Sequence, residues 1–149
     1  MDFQTLVGQM PTAVPMVGTL NIEFLSLEPQ RVVLRLPDQQ PYHNHIGGLH
    51  AGAMFTLAET ATGAIVLGNF GSMLDRATPL AVQGSIKYLK VAMGPVYAEA
   101  IMRDTPESIV AKLDAGERPV FDIEVKLATE DWTVTGESSF TWTLRPNRR

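Results

Sequence analysis

A mostly apolar stretch at residues 49–67 constrains the fold more than any other feature, because it predicts one long helix. Apolar residues lie on almost every side of that helix, so other parts of the structure must enclose it. A curved sheet can cover only part of its surface, and a second subunit would cover more. Charged residues make up only 19% of the chain, which fits a protein with part of its surface covered by another subunit.

The residues on either side of this helix predict shorter elements. An amphipathic helix is expected at residues 2–10, ended by Pro11 and Pro15. Apolar and polar residues alternate in two predicted strands before the long helix and four antiparallel strands after it, near 17–27, 31–36, 80–88, 96–103, 121–127 and 132–144.

Two further segments complete the predicted domain. Thr105 and Pro106 are an N-cap and a first helical residue, which predict an extra helix at about 105–115. The short basic segment 146–149 is expected to be a mobile tail. Together these elements indicate a single α+β domain over residues 1–149, with one buried helix.

The overall composition excludes several classes of function. A net charge of −4 and a pI of about 5.3 leave no basic face for a nucleic-acid backbone. The chain has no cysteine, so disulfides, thiolate metal sites and cysteine nucleophiles are excluded as well. The N-terminal residues lack the pattern of a signal peptide, and His50 and Glu59 interrupt the apolar stretch, so no membrane span is expected. The sequence therefore predicts a soluble cytoplasmic protein.

One acidic residue stands out, because Glu59 is the only formally charged residue between Asp38 and Asp75, histidines aside. It falls near the middle of the apolar helix, where a carboxylate is costly unless it is paired or its pKa rises. Two interpretations remain open. Glu59 is either a structural residue, hydrogen-bonded to a neighbouring strand or to Thr60 or Thr62, or a general base or nucleophile, for which isolated buried acids are a common signature.

The residues that lead into this helix, His43–Gly52, read HNHIGGLHAG. Small residues such as Gly48 and Gly52 let a substrate approach the free backbone N–H groups at the helix start. Those groups and the helix dipole can stabilise negative charge that develops on a carbonyl oxygen. A flexible glycine loop that leads into a tightly packed helix is the alternative interpretation.

The distance between these two features has a consequence for any site that uses both. Ala51 and Glu59 are eight residues apart, which corresponds to ~12 Å along one helix. A reacting carbonyl must lie within about 3 Å of both the oxyanion donor and the attacking group, so one straight helix cannot supply both. Two antiparallel helices related by a two-fold axis can, and the site would then be shared between two subunits.

The segment His43–Gly63, HNHIGGLHAGAMFTLAETATG, resembles the hotdog-fold acyl-CoA thioesterases of the phenylacetate-pathway (PaaI-like) type, and above all a poorly characterised bacterial branch of them. Asn44, His50, Gly52 and the run 57–59 match the family pattern in register. The resemblance extends over most of the chain. It implies a hotdog fold, in which a curved antiparallel sheet wraps around one long central helix.

The same resemblance implies a reaction and a set of partners. An acyl-CoA would be hydrolysed to the free acid and coenzyme A, which enters only as part of the substrate, and neither a separate cofactor nor a metal is implied. The protein would be a homodimer or a dimer of dimers, without nucleic-acid or membrane partners. The extra helix at about 105–115 departs from the family, because it exceeds the usual short connection, and it would shape the acyl pocket or an oligomer contact.

Matched residue by residue, the resemblance assigns four roles. Asn44 would position the thioester or the attacking water, and the backbone N–H of Ala51 would polarise the thioester carbonyl. Glu59 of the partner subunit would be the general base or the nucleophile. His50 would mainly cap the helix and order the loop. Ala51 stands where the family has a glycine, although only its N–H is needed.

A second position also departs from the family pattern. A serine or threonine that assists in some relatives falls here at Ala81 or Gly63, neither of which has a hydroxyl. Thr60, Thr62 and Ser85 are the candidates to replace it.

Three other functions remain open. A hotdog dehydratase or hydratase would pair a loop histidine with the helix acid, and His45 precedes Glu59 by fourteen residues, but the His-Phe-Pro run and the Pro-Gly helix start of that branch are absent. A non-enzymatic acyl-CoA-binding protein could use the same fold. The histidines of the segment, His43, His45 and His50, could also share a metal, although no resemblance supports such a site.

Overall fold

The computed structural model describes residues 1–148, in which a six-stranded antiparallel sheet packs around one long helix. The elements, in chain order, are α1 (Phe3–Gly8), α2 (Met10–Ala13), α3 (Pro15–Thr19), β1 (Glu23–Glu28), β2 (Arg31–Leu36), α4 (Ala51–Phe70), β3 (Ala77–Tyr88), β4 (Val96–Met102), α5 (Pro106–Asp114), β5 (Val120–Ala128) and β6 (Val134–Pro146). Short 3-10 turns at Gln40–Tyr42 and Gly71–Met73 flank α4.

The strands lie in the order β1-β2-β4-β5-β6-β3, and every neighbouring pair is antiparallel. Strand β3 pairs with β6 along its whole length, from Ala77 opposite Pro146 to Tyr88 opposite Gly136. It is therefore an edge strand, and its second edge makes no strand pairing within residues 1–148.

Helix α4 packs on one face of this sheet and contacts five of its six strands. Alternate residues of the central strands turn towards the helix and are fully buried, among them Ala98 and Ala100 of β4 and Ile123 of β5. Alanine at two of these positions lets the helix approach the sheet closely. The intervening residues, such as Glu124, are exposed on the outer face, as the period of two predicts.

The long helix is apolar enough to be compared with a membrane span. Over Ala51–Met73 it meets the length and mean-hydropathy criteria for a span, with a mean hydropathy of 1.3. However, 61% of that apolar window is buried inside the protein, so packing in the core accounts for its composition.

The N-terminal segment differs from the prediction of one helix ended by two prolines. Helix α1 ends at Gly8, but Pro11 and Pro15 each lie in the first turn of a further short helix, α2 or α3. Proline is tolerated there because its missing N–H would have no partner within the helix. The strand predicted to begin near residue 17 is therefore wrong at its start, since Val17 is helical and β1 begins at Glu23.

The C-terminal segment contradicts the prediction of a mobile tail at 146–149. Pro146 belongs to β6, and the Asn147 side chain accepts a hydrogen bond from the Thr78 hydroxyl at 2.8 Å. The backbone N–H of Asn147 also donates to a carbonyl near the start of β3. These bonds hold the segment against β3. Arg149 lies outside the described residues.

The bounds of the other elements lie within a few residues of their predicted positions. Helix α4 begins at Ala51 and ends at Phe70, and Thr105 caps α5 by accepting from the Ser108 N–H. Strand β6 begins later than predicted because Trp132 has a φ of 62°, in the left-handed region that belongs to a turn.

A buried hydrogen bond ties α4 to β6. The indole N–H of Trp142 donates to the hydroxyl oxygen of Thr62 at 2.9 Å, and that hydroxyl donates to the backbone carbonyl of Glu59. Thr62 is fully buried and Trp142 nearly so. Water cannot replace either partner, so the bond fixes how the helix is rotated against the sheet.

We expect Thr62→Val to destabilise the fold by about 1–3 kcal/mol, because it leaves the Trp142 N–H buried without an acceptor. Thr60→Val is the matched control. Thr60 is equally buried, but its hydroxyl bonds only to the Thr56 carbonyl of its own helix. Urea unfolding of both variants checks the prediction, and equal losses of free energy would contradict it.

Candidate active site

The loop before α4 is ordered by the side chain of Asn44. Its Oδ1 accepts from the backbone N–H groups of Ile46 at 3.0 Å and Gly48 at 3.1 Å. Its backbone N–H donates to the Gly48 carbonyl at 2.7 Å, while Gly47 has a φ of 80° that favours glycine. Nδ2 makes only one long contact, 3.5 Å to the Leu49 carbonyl. The amide oxygen of Asn44 is thus committed to the loop, and its amide nitrogen is the group left for other contacts.

The first turn of α4 is capped by His50. Its Nδ1 accepts from the Gly52 N–H at 2.8 Å, which requires a ring without a proton on Nδ1. On the other side of this turn, the Tyr88 hydroxyl of β3 donates to the Ala51 carbonyl at 2.9 Å. The peptide unit between Ala51 and Gly52 is therefore held at both ends by side chains.

Within residues 1–148 this arrangement leaves two N–H groups of the first helical turn without an acceptor, those of Ala51 and Ala53. Ala51 is exposed and is the more exposed of the two. A helix N-terminus with a free, exposed N–H favours an anionic oxygen. Gly52, next to it, is also exposed, whereas Gly48 is buried under Ala92 and Met93. Gly48 thus supports the loop from below and does not border the open side.

Glu59 lies two turns further along α4, half-buried among apolar residues. Burial raises the pKa of its carboxyl group above the ordinary value of 4.5. Its carboxylate makes no hydrogen bond or ion pair with any residue in 1–148. The neighbouring hydroxyls are used elsewhere, because Thr60 donates to the Thr56 carbonyl and Thr62 to the Glu59 main-chain carbonyl. The interpretation of Glu59 as a structural residue bonded to these threonines is therefore wrong.

Glu59 and Ala51 lie on one open stripe of α4, formed by Ala51, Gly52, Thr56 and Glu59. These residues are exposed or half-buried, whereas Leu57 on the opposite side is fully buried. The stripe follows from the helical period, since residues three and four apart share a face. Its two reactive groups remain ~12 Å apart within one protomer.

A cavity of about 310 Å³ adjoins Glu59. Helices α2 and α3, the C-terminal half of α4, the start of β3 and Trp142 of β6 line it. Helix α5, which was expected to be a candidate wall of an acyl pocket, contributes no residue to it. Thr60 is a lining residue, as its predicted contact with substrate requires.

Ser85 is the predicted site residue that does not join the others. Gly84 faces α4, because the Phe140 ring covers it so closely that an added Cβ would lie 2.4 Å from a ring carbon. Its neighbour Ser85 therefore faces outwards and lines a separate groove with Lys87 and Glu137. Within a protomer it is on the other side of the sheet from Glu59, so the role of Ser85 as the replacement hydroxyl stays a prediction that a single protomer does not support.

The histidines of the loop are also separated. His43 pairs with Asp38 at 2.5 Å, and His50 is bonded to its own helix start, while His45 is exposed. Among residues 1–148 no three His, Asp or Glu side chains are close enough together to share a metal ion.

Solved structures define the fold class of this arrangement. A protein of unknown function from Pseudomonas aeruginosa, described as a probable thioesterase, is 27% identical, with a TM-score of 0.84 over 99% of this chain and 97% of that one. A variant of a Staphylococcus aureus thioesterase is 19% identical, with a TM-score of 0.71 over 89% and 100%. The PaaI protein of the Escherichia coli phenylacetic acid degradation operon is 14% identical, with a TM-score of 0.72 over 96% and 92%. The chain has the hotdog fold, which confirms the expectation from the resemblance.

The sequence also matches a family model over nearly its whole length. Residues 4–144 match the family described as a domain of unknown function, DUF4442, and the chain belongs to this family. No curated protein matches the chain. The family description names no activity, so the activity has to come from the chemistry of the site.

We expect Glu59→Gln to raise the stability of the folded protein at neutral and higher pH. The raised pKa means that the folded state binds the proton more tightly than the unfolded chain, so stability is lost as the pH rises through the folded-state pKa. Glutamine stays neutral, so its advantage should vanish as the pH falls below about 4.5.

Thermal unfolding between pH 3.5 and 8 measures this difference. The control is Glu117→Gln, at an exposed position after α5. The prediction would be contradicted if Glu59→Gln is less stable than the unsubstituted protein at pH 8. It would also be contradicted if the difference in stability is the same at every pH.

Proposed function

We propose that the protein is an acyl-CoA thioesterase, which hydrolyses a thioester to a free acid and coenzyme A in a site shared by two copies of the chain. The open stripe of α4 carries this proposal. Within residues 1–148 it holds a desolvated carboxylate without a partner, Glu59, and a helix-start N–H without an acceptor, Ala51. The two groups suit one reaction, but in one protomer they are too far apart to act on one carbonyl.

In the proposed reaction the thioester carbonyl oxygen accepts from the Ala51 N–H of one protomer. Glu59 of the partner subunit either takes a proton from the attacking water or attacks the carbonyl carbon itself. The bond from the carbonyl carbon to sulfur then breaks, and coenzyme A leaves as a thiolate. Attack by water gives the free acid at once, whereas attack by Glu59 leaves the acyl group on its carboxylate as a mixed anhydride, which water then hydrolyses to the free acid and the original carboxylate. A carboxylate with a raised pKa is a stronger base than an exposed one, which fits either role.

The remaining predicted residues support these two groups. His50 and Tyr88 hold the peptide unit next to the donor, which keeps the Ala51 N–H in a fixed direction. Asn44 holds the loop through its Oδ1, and its Nδ2 is the atom proposed to contact the thioester or the water. These are roles in orientation, because neither the carboxylate nor the oxyanion donor comes from them.

The surface around the stripe supports a second copy. Strand β3 has a free edge, and its residues 81–85 are exposed. The segment after it is apolar yet exposed, with Leu89 at 51%, Val91 at 68% and Met93 at 52%. A long free strand edge beside exposed apolar residues is a template for pairing with another chain. A homodimer, alone or within a dimer of dimers, would cover it.

The relatives support the reaction class. The Pseudomonas aeruginosa and Staphylococcus aureus proteins are both described as thioesterases, the first as a probable one. One variant of the Staphylococcus aureus protein replaces a glutamine, and another replaces a glutamate fifteen positions later. Asn44 and Glu59 are separated by the same interval, and asparagine and glutamine offer the same amide donors.

We expect two single substitutions to abolish most of the hydrolysis, each through one of the two groups. Glu59→Gln removes the base or nucleophile and should lower kcat by about 10²–10⁴. Ala51→Pro removes only the N–H and should lower kcat by about 10²–10³. Proline fits the first helical position, and His50 before it has the extended φ of −61° and ψ of 142° that proline requires.

The measurement is thiol release from a panel of acyl-CoAs, which the absence of cysteine in the protein makes free of background. Ala51→Gly is the matched control, because it keeps the N–H and should keep the activity. Full activity in Glu59→Gln would rule out the proposed site. Hydration of crotonyl-CoA without thiol release would instead favour the dehydratase or hydratase, and saturable binding without any turnover would favour the acyl-CoA-binding protein.

A further inference from the structure

Building on the proposed function, we infer that the cavity beside Glu59 is the acyl-group pocket and that the N-terminal helices α2 and α3 form its wall. The substrate class is then the coenzyme A thioester of a medium-sized, wholly apolar acid. The family description names neither this pocket nor this acid.

The direction of the cavity fits an acyl group whose carbonyl is at Glu59. Its lining residues on α4 are Gly63, Val66 and Leu67, which lie four, seven and eight residues beyond Glu59. These intervals place them on one face of the helix, over a length of up to ~12 Å. Ala51 lies on the opposite side of Glu59 along the helix. An acyl tail in the cavity therefore points away from the helix start.

The lining offers no free polar group except the carboxylate. Besides Glu59, the polar side-chain groups among the lining residues are the hydroxyls of Thr60 and Thr78 and the indole N–H of Trp142, which donates to Thr62. The Thr60 hydroxyl donates to the Thr56 carbonyl, and the Thr78 hydroxyl donates to Asn147. A hydroxyl or charge on the acyl tail would have to lose its water without gaining a partner, which selects against polar acids.

The volume sets the size of the acid. A cavity of about 150 Å³ lined by apolar side chains holds one benzene molecule, and the volume here is about 310 Å³. One aromatic ring with a short linker, or an aliphatic chain of medium length, fills such a space. The cavity opens to solvent beside Val14 and Leu74, which are 38% and 51% exposed.

Gly63 is the residue that keeps the cavity open. A Cβ added there would lie 3.7 Å from Met10 Cε and 3.8 Å from Trp142 Cζ2. These are ordinary contact distances, so a single methyl group fits, but any longer side chain must extend into the space between α2 and β6. Helix α5 takes no part in this wall, since its buried residues Ile109 and Leu113 belong to the core.

The test compares the kcat/KM of acetyl-, octanoyl-, phenylacetyl- and hexadecanoyl-CoA, measured by thiol release. Gly63→Leu should lower the ratio of octanoyl- to acetyl-CoA kcat/KM at least about tenfold, because the added side chain occupies the pocket. Leu67→Ala lengthens the pocket and should raise the ratio of hexadecanoyl- to octanoyl-CoA. Ala111→Leu places a leucine on the exposed side of α5, away from the cavity, and should change neither ratio.

A binding measurement separates the pocket from the hydrolysis. The chain has two tryptophans, and Trp132→Phe removes the exposed one, so that emission then comes from Trp142 in the pocket wall. Octanoic acid should change this emission saturably, and Gly63→Leu should abolish the change. If both binding results are obtained but no thioester is hydrolysed, the cavity is an acyl-binding pocket and the proposed hydrolase activity is contradicted. The assignment of the cavity as the acyl pocket would be contradicted in two ways. One is hydrolysis with the same kcat/KM ratios in Gly63→Leu and Leu67→Ala as in the unsubstituted protein, and the other is the absence of a saturable emission change.

Discussion

The structure depends on enclosing a helix that is apolar around its whole circumference. One sheet covers most of α4, with Ala98 and Ala100 small enough for close approach. The N-terminal helices cover its C-terminal half, where Phe3 packs on Gly68 so tightly that a Cβ there would lie 2.2 Å from its ring. The stripe from Ala51 to Glu59 remains exposed or half-buried in one protomer, and it carries the reactive groups of the helix.

The position of Glu59 shows why such a stripe suits catalysis. A carboxyl group among apolar residues, without a bond from Thr60 or Thr62, destabilises the folded protein at neutral pH. The same environment makes it a stronger base. At the other end of the stripe, His50 and Tyr88 fix a peptide unit but leave the neighbouring N–H free. The chain thus keeps one unfavourable charge and an unused donor, which is typical of functional sites.

Much of this arrangement could be predicted from residues close together in the sequence. The apolar period predicted α4 and the isolated charge singled out Glu59, whereas the site in two halves, inferred from the spacing to Ala51, stays a prediction. The N-terminal helices could not be predicted in the same way. Pro11 and Pro15 indicate helix ends when they are considered alone, whereas in the structure each lies in the first turn of a new helix.

Other features depend on contacts between distant parts of the chain. The cavity forms only where α2 and α3 meet Gly63 and Trp142, so no local pattern indicates it. The alternation in β3 puts Ser85 and Gly84 on opposite faces, and the contact of Gly84 with the distant Phe140 ring shows that Gly84 is on the inner face. The bond from Tyr88 to the start of α4 joins residues thirty-seven positions apart and leaves no signal in the sequence.

In the proposed dimer, each active site takes Ala51 from one protomer and Glu59 from the other. Co-expression of Glu59→Gln and Ala51→Pro chains with different affinity tags allows the mixed dimer to be purified. In a shared site, one of its two sites combines both substitutions and the other is intact, so the mixed dimer should regain about half of the unsubstituted acyl-CoA hydrolysis. A mixed dimer as inactive as its two parents would contradict the account.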